Sequence, residues 1–378
     1  MFALAMMGLL AVVALRTADD ERRSERALRE SGVALYADEA GLRSTLGAWP
    51  SSAVQALSPG DSLNLGWQLL PNRASHRVVI HRVDNGGLNE YAVVVQAKGP
   101  GPLGGQSTVV EMVTGVSVFK WGIFTENGMT LSGGSGTDGY DSRKGPYDAA
   151  GADSTGSLAT NGSIVMSGGS SVKGDALAQG TVTGGTVTGA RTSTTAPFPH
   201  MPNLACPSGG YTPSVPPGPG ISYSAATGVL TVSGGKNVTL TAPPTQYYFS
   251  QVVLSGGSTL TVKSGGQHVD IYIANKLDIS GGGIVNTSAQ PPQLGIWACG
   301  IPSATQWTLS GGSGAYFSVY APSHPIVVSG GGDLWGAVVG ASYTASGGSK
   351  IHYDEGLAQA PSKLLLAITG SWAQLGVK

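Results

Sequence analysis

The chain has 378 residues, of which 59 are glycine and only 11% are charged, and its formal net charge is -1. Hydrophobic residues make up 41% of it, which excludes a disordered chain, and the glycine content is typical of a turn-rich β protein. The near-neutral charge, with no basic cluster, argues against a partner that is a nucleic acid.

The amino-terminal segment, residues 1–49, predicts one long helix in two parts. Residues 2–15 are uncharged but fall short of the roughly 20 residues that cross a bilayer. Residues 16–47 are charged and amphipathic, because Leu28, Leu35, Leu42 and Trp49 recur every seven residues. We expect the apolar part to enter a membrane or a filament core through Phe2, Leu9, Leu10, Val12, Val13 and Leu15.

Residues 50–120 change to short β-forming runs and predict a small antiparallel sheet packed on the end of the helix. Asn85-Gly86-Gly87 separates two of the runs and is a strong hairpin signal. His76 and His81 lie in this segment, but no cysteine or carboxylate stands at ligand spacing. We therefore interpret both as ordinary surface histidines.

Residues 121–355 repeat a Ser-Gly-Gly element between short alternating strands. Its serines are Ser132, Ser167, Ser233, Ser255, Ser264, Ser280, Ser310, Ser329 and Ser346, with a further copy at Ser208 that lacks strand context. Such periods belong to solenoids, and glycine suits the corner because it reaches positive φ without a Cβ clash. The pattern predicts a mainly β protein with a right-handed parallel β-helix, closed by a C-terminal cap at residues 356–378.

Two parts of the chain resemble PilX-type type IV pilus assembly proteins. One is "RTADDERRSERALRESGVALYADEAGLRSTLGAW", which contains the element "ADEAGL" from Ala37 to Leu42. The other is the Gly/Ser-rich part, with "LSGGSGTDGYDSRKGPY", "TNGSIVMSGGSSVKGDA", "GAYFSVYAPSHPIVVSGGGDLWGAVVG" and "SGGSKIHYDEGL". The resemblance implies a pilin-like helix followed by a Gly/Ser-rich domain, and it brings no catalytic residue with it.

Parallel β-helices include carbohydrate-active enzymes, which need clustered carboxylates, usually with an arginine or a lysine. After Arg191 there is no arginine, and the one tight group is His352, Asp354 and Glu355, for which we prefer a turn or capping role. We therefore expect no enzyme.

Calcium is the metal to consider, because "GGSGTDGY" resembles the start of a calcium-binding nonapeptide and places Asp138 and Asp141 together. Calcium sites of this kind take their ligands from adjacent copies of the nonapeptide, and this sequence has one copy. We expect no cofactor, with calcium at these two residues as the alternative.

Cys206 and Cys299 are the two cysteines of a chain that we expect to be exported, so a disulfide is plausible, with free thiols as the alternative. Residues 180–203, "GTVTGGTVTGARTSTTAPFPHMPN", predict a surface insertion or linker.

These observations predict a non-enzymatic bacterial surface protein of the type IV pilus assembly kind. It would be anchored in the inner membrane or assembled with other pilin-like subunits through its helix, and would display the β-helix outside the cell. A surface adhesion module is the first alternative, which aromatic residues such as Tyr272, Tyr316 and Tyr320 exposed on one sheet would favour. A carbohydrate-active β-helix enzyme is the second.

Overall fold

The structure is a computed structural model, and it describes most of the chain. The described residues are 2–47, 49, 53–54, 57–85, 88–101, 105–115, 117–207, 215, 218–300, 304–309, 315–359, 365–367 and 371–377. The copies of the Ser-Gly-Gly element at Ser208 and Ser310 lie outside these residues.

One long helix and a series of strands make up the described secondary structure. The helix is α1, Phe2–Gly47. The first strands are β1 Ser62–Leu69, β2 Ser75–Asn85, β3 Leu88–Lys98, β4 Gln106–Gly115, β5 Ile123–Thr125, β6 Gly128–Leu131, β7 Gly136–Tyr140, β8 Leu158–Thr160, β9 Ser163–Met166, β10 Ser171–Val172, β11 Ala176–Ala178, β12 Val182–Thr183, β13 Thr186–Val187 and β14 Arg191–Ser193. Next come β15 Ile221–Ser224, β16 Val229–Val232, β17 Asn237–Thr241, β18 Gln246–Leu254, β19 Thr259–Lys263, β20 Val269–Ile279, β21 Gly283–Asn286, β22 Leu294–Ala298, β23 Trp307–Leu309, β24 Ala315–Val328, β25 Leu334–Ala345, β26 Lys350–Asp354, β27 Leu365–Ala367 and β28 Ala373–Val377, with short 3-10 helices at Pro291–Gln293 and Glu355–Gln359.

The chain divides into two compact units. The first comprises Met1–Val116 together with Pro361–Lys378, and the second comprises Ser117–Ala360. The prediction of a mainly β protein with a long amino-terminal helix and an antiparallel sheet is confirmed.

In the first unit, α1 packs one face on the antiparallel sheet. Ala34, Ala37 and Leu42 are buried against sheet residues that include Ala97 and Val95. Ala37 and Leu42 follow Ala34 by three and by eight positions, which are spacings of one face of a helix. The "ADEAGL" element is therefore the part of the helix that meets the sheet.

Gly41 shows how closely the helix approaches the sheet. A Cβ built on Gly41 would lie 2.6 Å from Cδ2 of His76 and 3.0 Å from Cγ1 of Val95. Glycine at this position is thus a packing requirement, although it is costly in a helix interior. His76 is only 4% exposed, so its interpretation as a surface histidine is wrong: the alternation of β2 turns its side chain towards α1.

The sheet of the first unit has the strand order β1-β2-β3-β4-β27, and β28 also pairs with β4. The predicted hairpin is present, since β2 and β3 pair antiparallel from Ser75↔Lys98 to Asn85↔Leu88. The last two strands also pair antiparallel with β4. The tail that the sequence assigned to a cap on the repeats thus supplies hydrogen-bond partners for the edge of β4.

In the second unit, the described strands pair in parallel except that β15 pairs antiparallel with β16, and most of them fall into three columns, while β17, β19 and β21 form a separate parallel sheet. The first column runs β14-β11-β8-β5-β25-β24-β22-β20-β18. The second runs β12-β9-β6-β25-β24-β23-β20-β18-β16, and the third includes β13-β10-β7-β26-β25-β24. Alternate side chains of each strand point inward, where Ile271, Phe249 and Val319 are fully buried.

The order of strands in these columns differs from the order along the chain. β25 pairs with β5 through Val338↔Ile123, and β26 pairs with β7 through Ile351↔Thr137. Residues 117–193 therefore form one half of the stack and residues 218–359 form the other. The chain enters the stack at the junction between the halves, runs outward to residue 193, resumes at the far end and returns to the junction.

The Ser-Gly-Gly elements form the corners between strands. Gly256 and Gly257 have φ of 60° and 76°, a backbone conformation that favours glycine. The turn is closed by a hydrogen bond in which Ser258 N donates to Ser255 O at 3.2 Å. The corner role predicted for glycine and serine agrees with this geometry.

Part of residues 180–203 forms paired strands, where the sequence predicted a surface insertion or linker. β12 pairs with β9, and β13 pairs with β10, both in parallel. Gly184 and Gly185 have φ of 68° and 55° and make the corner that Ser-Gly-Gly makes elsewhere. Strands of two residues give too short an alternation to be recognised in a sequence.

Candidate functional site

The polar residues that the sequence singled out meet at the junction between the halves of the second unit. Asp138 lies on β7 and His352 on β26, and Asp138 Oδ1 is 2.6 Å from His352 Nδ1. The other oxygen, Oδ2, accepts a hydrogen bond from the Tyr147 hydroxyl at 2.9 Å. Because β7 and β26 are neighbours in the third column, residues 214 positions apart become partners.

Aromatic rings enclose the His352 imidazole. It stacks on Trp335 at 5.1 Å between ring centroids, and Tyr147 lies 4.1 Å away on a tilted plane. Tyr316 in turn stacks on Trp335 at 4.8 Å. The parallel register places Tyr316, Trp335, His352 and Asp138 side by side on consecutive strands.

The pKa of His352 reflects two opposing effects. Burial disfavours the charged imidazole, but the hydrogen bonds and charges of Asp138 and of Asp333, whose Oδ2 lies 3.7 Å from Nε2, outweigh it and raise the pKa. The contact between Asp138 and His352 therefore links the two halves across the junction.

Asp354 has a separate set of partners. Its carboxylate accepts hydrogen bonds from Ser142 N at 2.9 Å, from the Ser142 hydroxyl at 2.6 Å and from Gly356 N at 3.0 Å. The turn or capping role predicted for this group agrees with these contacts, which tie the end of β26 to the loop after β7.

The candidate calcium ligands are both engaged by protein groups. Asp141 accepts hydrogen bonds from Arg143 Nε at 2.7 Å and from a terminal nitrogen at 2.8 Å, and Lys144 Nζ lies 3.3 Å away. The hydrogen bond from Arg143 leads the effects that hold the pKa of Asp141 far below its usual range. Within the described residues no three His, Cys, Asp or Glu side chains group as a metal site would require. Arg143 and Lys144 thus contact Asp141, and the Tyr147 hydroxyl contacts Asp138, where the sequence suggested calcium.

Two carboxylates, Asp138 and Asp333, flank one imidazole here, which is the proximity that a carbohydrate-active enzyme would need. Asp138 is only 6% exposed, and Tyr147 covers it. A cluster whose acid and imidazole are both buried and mutually bonded supports a structural role.

Cys206 and Cys299 form a disulfide, with Cα atoms 4.7 Å apart. It attaches the segment after residue 193 to the end of β22. The two cysteines are 93 positions apart in the chain.

The aromatic residues proposed for adhesion are not exposed together. Tyr272 is 9% exposed and Tyr320 is fully buried, and both belong to the first column. Tyr316 is half-buried and lies in the third column, where it stacks on Trp335. The three residues are therefore not exposed together on one sheet, which was the condition that would have favoured adhesion.

The segment of α1 from Asp20 to Arg29 forms a candidate assembly surface. Every residue from Asp20 to Arg29 is exposed, whereas burial against the sheet begins after Glu30. Leu28, which the seven-residue stripe placed on the buried face, is 74% exposed, because the sheet does not extend to it.

The side chains of Phe2, Leu9, Leu10, Val12, Val13 and Leu15 lie outside the described part of the structure. Among the residues that the structure describes, there is no helix with an apolar stretch of the length needed to span a membrane.

The interface of α1 with the sheet contains polar groups that the sequence did not reveal. Asp38 is fully buried, and neither of its carboxylate oxygens has a hydrogen-bond partner among the described residues. His76 Nδ1 and the Ser107 hydroxyl in the same interface also lack one. Burial raises the pKa of Asp38 to about 7, an effect that nearby Ser107 only partly offsets, and burial lowers the pKa of His76.

Comparisons with known proteins give limited matches. A family model described as a domain of unknown function, DUF7305, matches residues 248–360, which is less than half of the chain. No curated protein matches. The crystal structure of the competence-associated pilin ComZ from Thermus thermophilus is similar over 93% of this chain and 97% of that chain, with 14% sequence identity and a TM-score of 0.31. A likeness at this level leaves the function to be argued from the residues.

Proposed function

We propose that this protein is a non-enzymatic bacterial surface protein of the type IV pilus assembly kind, similar to PilX-type minor pilins. Its helix α1 packs with the helices of other pilin-like subunits, and its second unit is a right-handed parallel β-helix that is displayed at the surface. The pairing of parallel strands in three columns supports the β-helix.

The observation that carries the proposal is the exposure of α1 from Asp20 to Arg29. An isolated helix gains too little from its own hydrogen bonds to be stable, so most helices depend on packing. A helical segment that no described residue of its own unit buries, and that carries an exposed leucine at position 28, therefore favours packing against helices of other subunits.

The charges of this segment fit the same role. It contains Asp20, Glu21 and Glu25 beside Arg22, Arg23, Arg26 and Arg29. Both signs are interspersed over a few helical turns, so a neighbouring helix of similar sequence could pair acid with base.

Site-specific photo-crosslinking in the native bacterium tests the proposal. A photoreactive residue at Leu28 is expected to give adducts that contain pilin-like subunits identified by mass spectrometry. The matched control is the same residue at Lys263, which is exposed on β19 in the second unit and is expected to give no such adduct. Surface-located protein that gives no helix-to-helix adduct from position 28 contradicts the proposal.

A surface adhesion module is a second candidate, favoured by the half-buried stack of Tyr316 on Trp335. Aromatic faces bind apolar faces of ligands through stacking. A glycan array on the intact second unit and on Trp335→Ala tests it, and binding that is lost only in the variant would support adhesion.

A further inference from the structure

At the junction between the two halves of the second unit, the strands that pair with each other are not consecutive in the chain. At the junction, β25 contacts β5 and β6, and β26 contacts β7. The backbone hydrogen bonds there include Val338 N to Gly122 O at 2.9 Å and Ser132 N to Ala345 O at 2.9 Å. Separation of the halves would break these contacts without breaking any covalent bond within either half.

One segment crosses the junction on the outside, from Phe198 to Cys206, and we call it the strap. In the first half it is held by Phe198, whose ring meets Trp121 and Phe124 at centroid distances of 5.5 and 6.2 Å. Its backbone at Phe198 donates to Asn161 Oδ1 at 2.7 Å. The first half thus provides an apolar seat for the start of the strap.

Glu126 is the polar anchor of the strap in the first half. Its carboxylate accepts a hydrogen bond from Met201 N at 2.6 Å and lies 2.7 Å from His200 Nδ1. The side chain of Glu126 is 13% exposed, whereas that of His200 is 81% exposed. The backbone donor therefore meets a largely buried acceptor.

In the second half the strap follows the first column strand by strand. Pro202 O accepts a hydrogen bond from the Tyr320 hydroxyl at 2.6 Å on β24. Leu204 O accepts one from Gly300 N at 2.8 Å, next to β22. The disulfide between Cys206 and Cys299 then ends the strap.

We propose that the strap is an oxidation-dependent clamp that holds the two halves of the second unit together. The chain continues from both ends of the strap, but the contacts that hold the strap on the first half are noncovalent, and its end is cross-linked to Cys299 only while the disulfide exists. Because it is bonded to both sides of the junction, opening the junction requires the strap to detach from one of them.

The disulfide decides how readily that happens. Hydrogen bonds of a mostly exposed strap exchange with water at small net cost. A covalent bond removes the detached states of the strap end, and the stabilisation from such a cross-link grows with the length of the loop that it closes. The closed loop here contains the whole beginning of the second half, since the cysteines are 93 positions apart.

Hydrogen exchange measured by mass spectrometry on the full chain tests the clamp. Reduction with a thiol reagent is expected to raise exchange at β5 and at the facing part of β25 by at least about tenfold, because local opening of the junction becomes easier. Exchange at β19, which lies away from the junction, is expected to stay unchanged and to show that the fold persists. Cys206→Ser without reductant should reproduce the effect.

Two further variants complete the test. The Cys206→Ser, Cys299→Ser double variant should not respond to reductant, since the chain has 2 cysteines. Glu126→Gln should raise junction exchange while the disulfide is intact, because detachment from the first half is then the route for opening, but it should raise it by less than reduction does. Three results would overturn the clamp. The first is a rise in exchange that is confined to residues 204–206 and 298–300, and the second is an equal rise over the whole chain. The third is a rise in oxidised Glu126→Gln that is as large as the rise on reduction.

Discussion

Asp38 shows what a single buried side chain contributes. It lies in the interface of α1 with the sheet, fully buried and without a hydrogen-bond partner among the described residues. The same interface contains His76 Nδ1 and the Ser107 hydroxyl, which also have no hydrogen-bond partner among the described residues. A carboxyl group in this setting is favoured in its neutral form.

We expect the stability of the first unit to fall as the pH rises from about 4 to 7. The pKa of Asp38 is about 7 in the folded chain against 3.8 for the unfolded group, so over this range the folded state keeps a proton that the unfolded state releases. Each pH unit then lowers the free energy of unfolding by up to about 1.4 kcal/mol, and the slope vanishes above the folded pKa.

Urea unfolding followed by the helical circular dichroism signal measures this dependence. Asp38→Asn should flatten it, while Asp20→Asn, on the exposed part of α1, should leave it as in the wild type. An unchanged slope in Asp38→Asn would refute the assignment.

His352, at the junction of the second unit, differs from Asp38 because its charged form is the favoured one. Its pKa is raised by Asp138 and Asp333 despite burial, so the charged imidazole stabilises the fold below the ordinary value of 6.5. We expect that stability to be lost as the pH rises through the folded pKa. Asp138→Asn should lower the pKa of His352, measured by NMR, and at a pH below 6.5 should destabilise the second unit by roughly 1.5–3 kcal/mol, which is the contribution of a hydrogen bond to a charged group.

His200→Gln is the control for this prediction, because the His200 side chain is 81% exposed. An exposed pair of this kind contributes roughly 0–1 kcal/mol. If Asp138→Asn and His200→Gln destabilised the second unit equally, burial would not be what distinguishes the Asp138–His352 contact from the Glu126–His200 contact.

At the scale of elements, the end of the chain completes the sheet of the first unit. β28 pairs with β4 from Ala373↔Val110 to Val377↔Ser107, and Ser371 Oγ accepts a hydrogen bond from Met112 N at 3.1 Å. These contacts cover an edge that would otherwise present unpaired backbone groups.

Deletion of residues 365–378 should therefore expose the β4 edge. We expect a less stable first unit that self-associates, measured by circular dichroism and by light scattering after size exclusion. The control is Trp372→Ser with Leu375→Ser, whose side chains are 46% and 65% exposed, and which should keep the pairing and stay monodisperse. Association in the control alone would point to its side chains instead.

At the scale of the whole molecule, the second unit is inserted into the first. The chain leaves the first unit after Val116 and returns at Pro361. Both β5 and β26 pair with β25, so the two ends of the second unit lie close together. Insertion is tolerated where the ends of a unit are near each other.

We accordingly expect residues 117–360 to fold alone when the disulfide can form. The isolated segment should show one cooperative unfolding transition and the same protected strands in hydrogen exchange as the full chain. Loss of protection along all three columns would show that it depends on the first unit.

Local patterns in the sequence were enough to predict the local structure. Seven-residue spacing predicted α1, alternation predicted the strands, and Ser-Gly-Gly predicted the corners, because each depends on residues close together in the chain. It could also name the cysteines and the polar residues Asp138 and His352 as candidates.

Which strands and which side chains contact each other depends on the fold of the whole chain. Alternation tells which side chains point inward, but it does not tell which strand stacks on which. The chain enters its stack in the middle, so Asp138 meets His352 across 214 positions and the strap crosses a junction that no local pattern marks. In the same way, the reach of the sheet, and not the helical stripe, determined that Leu28 is exposed while Leu42 is buried.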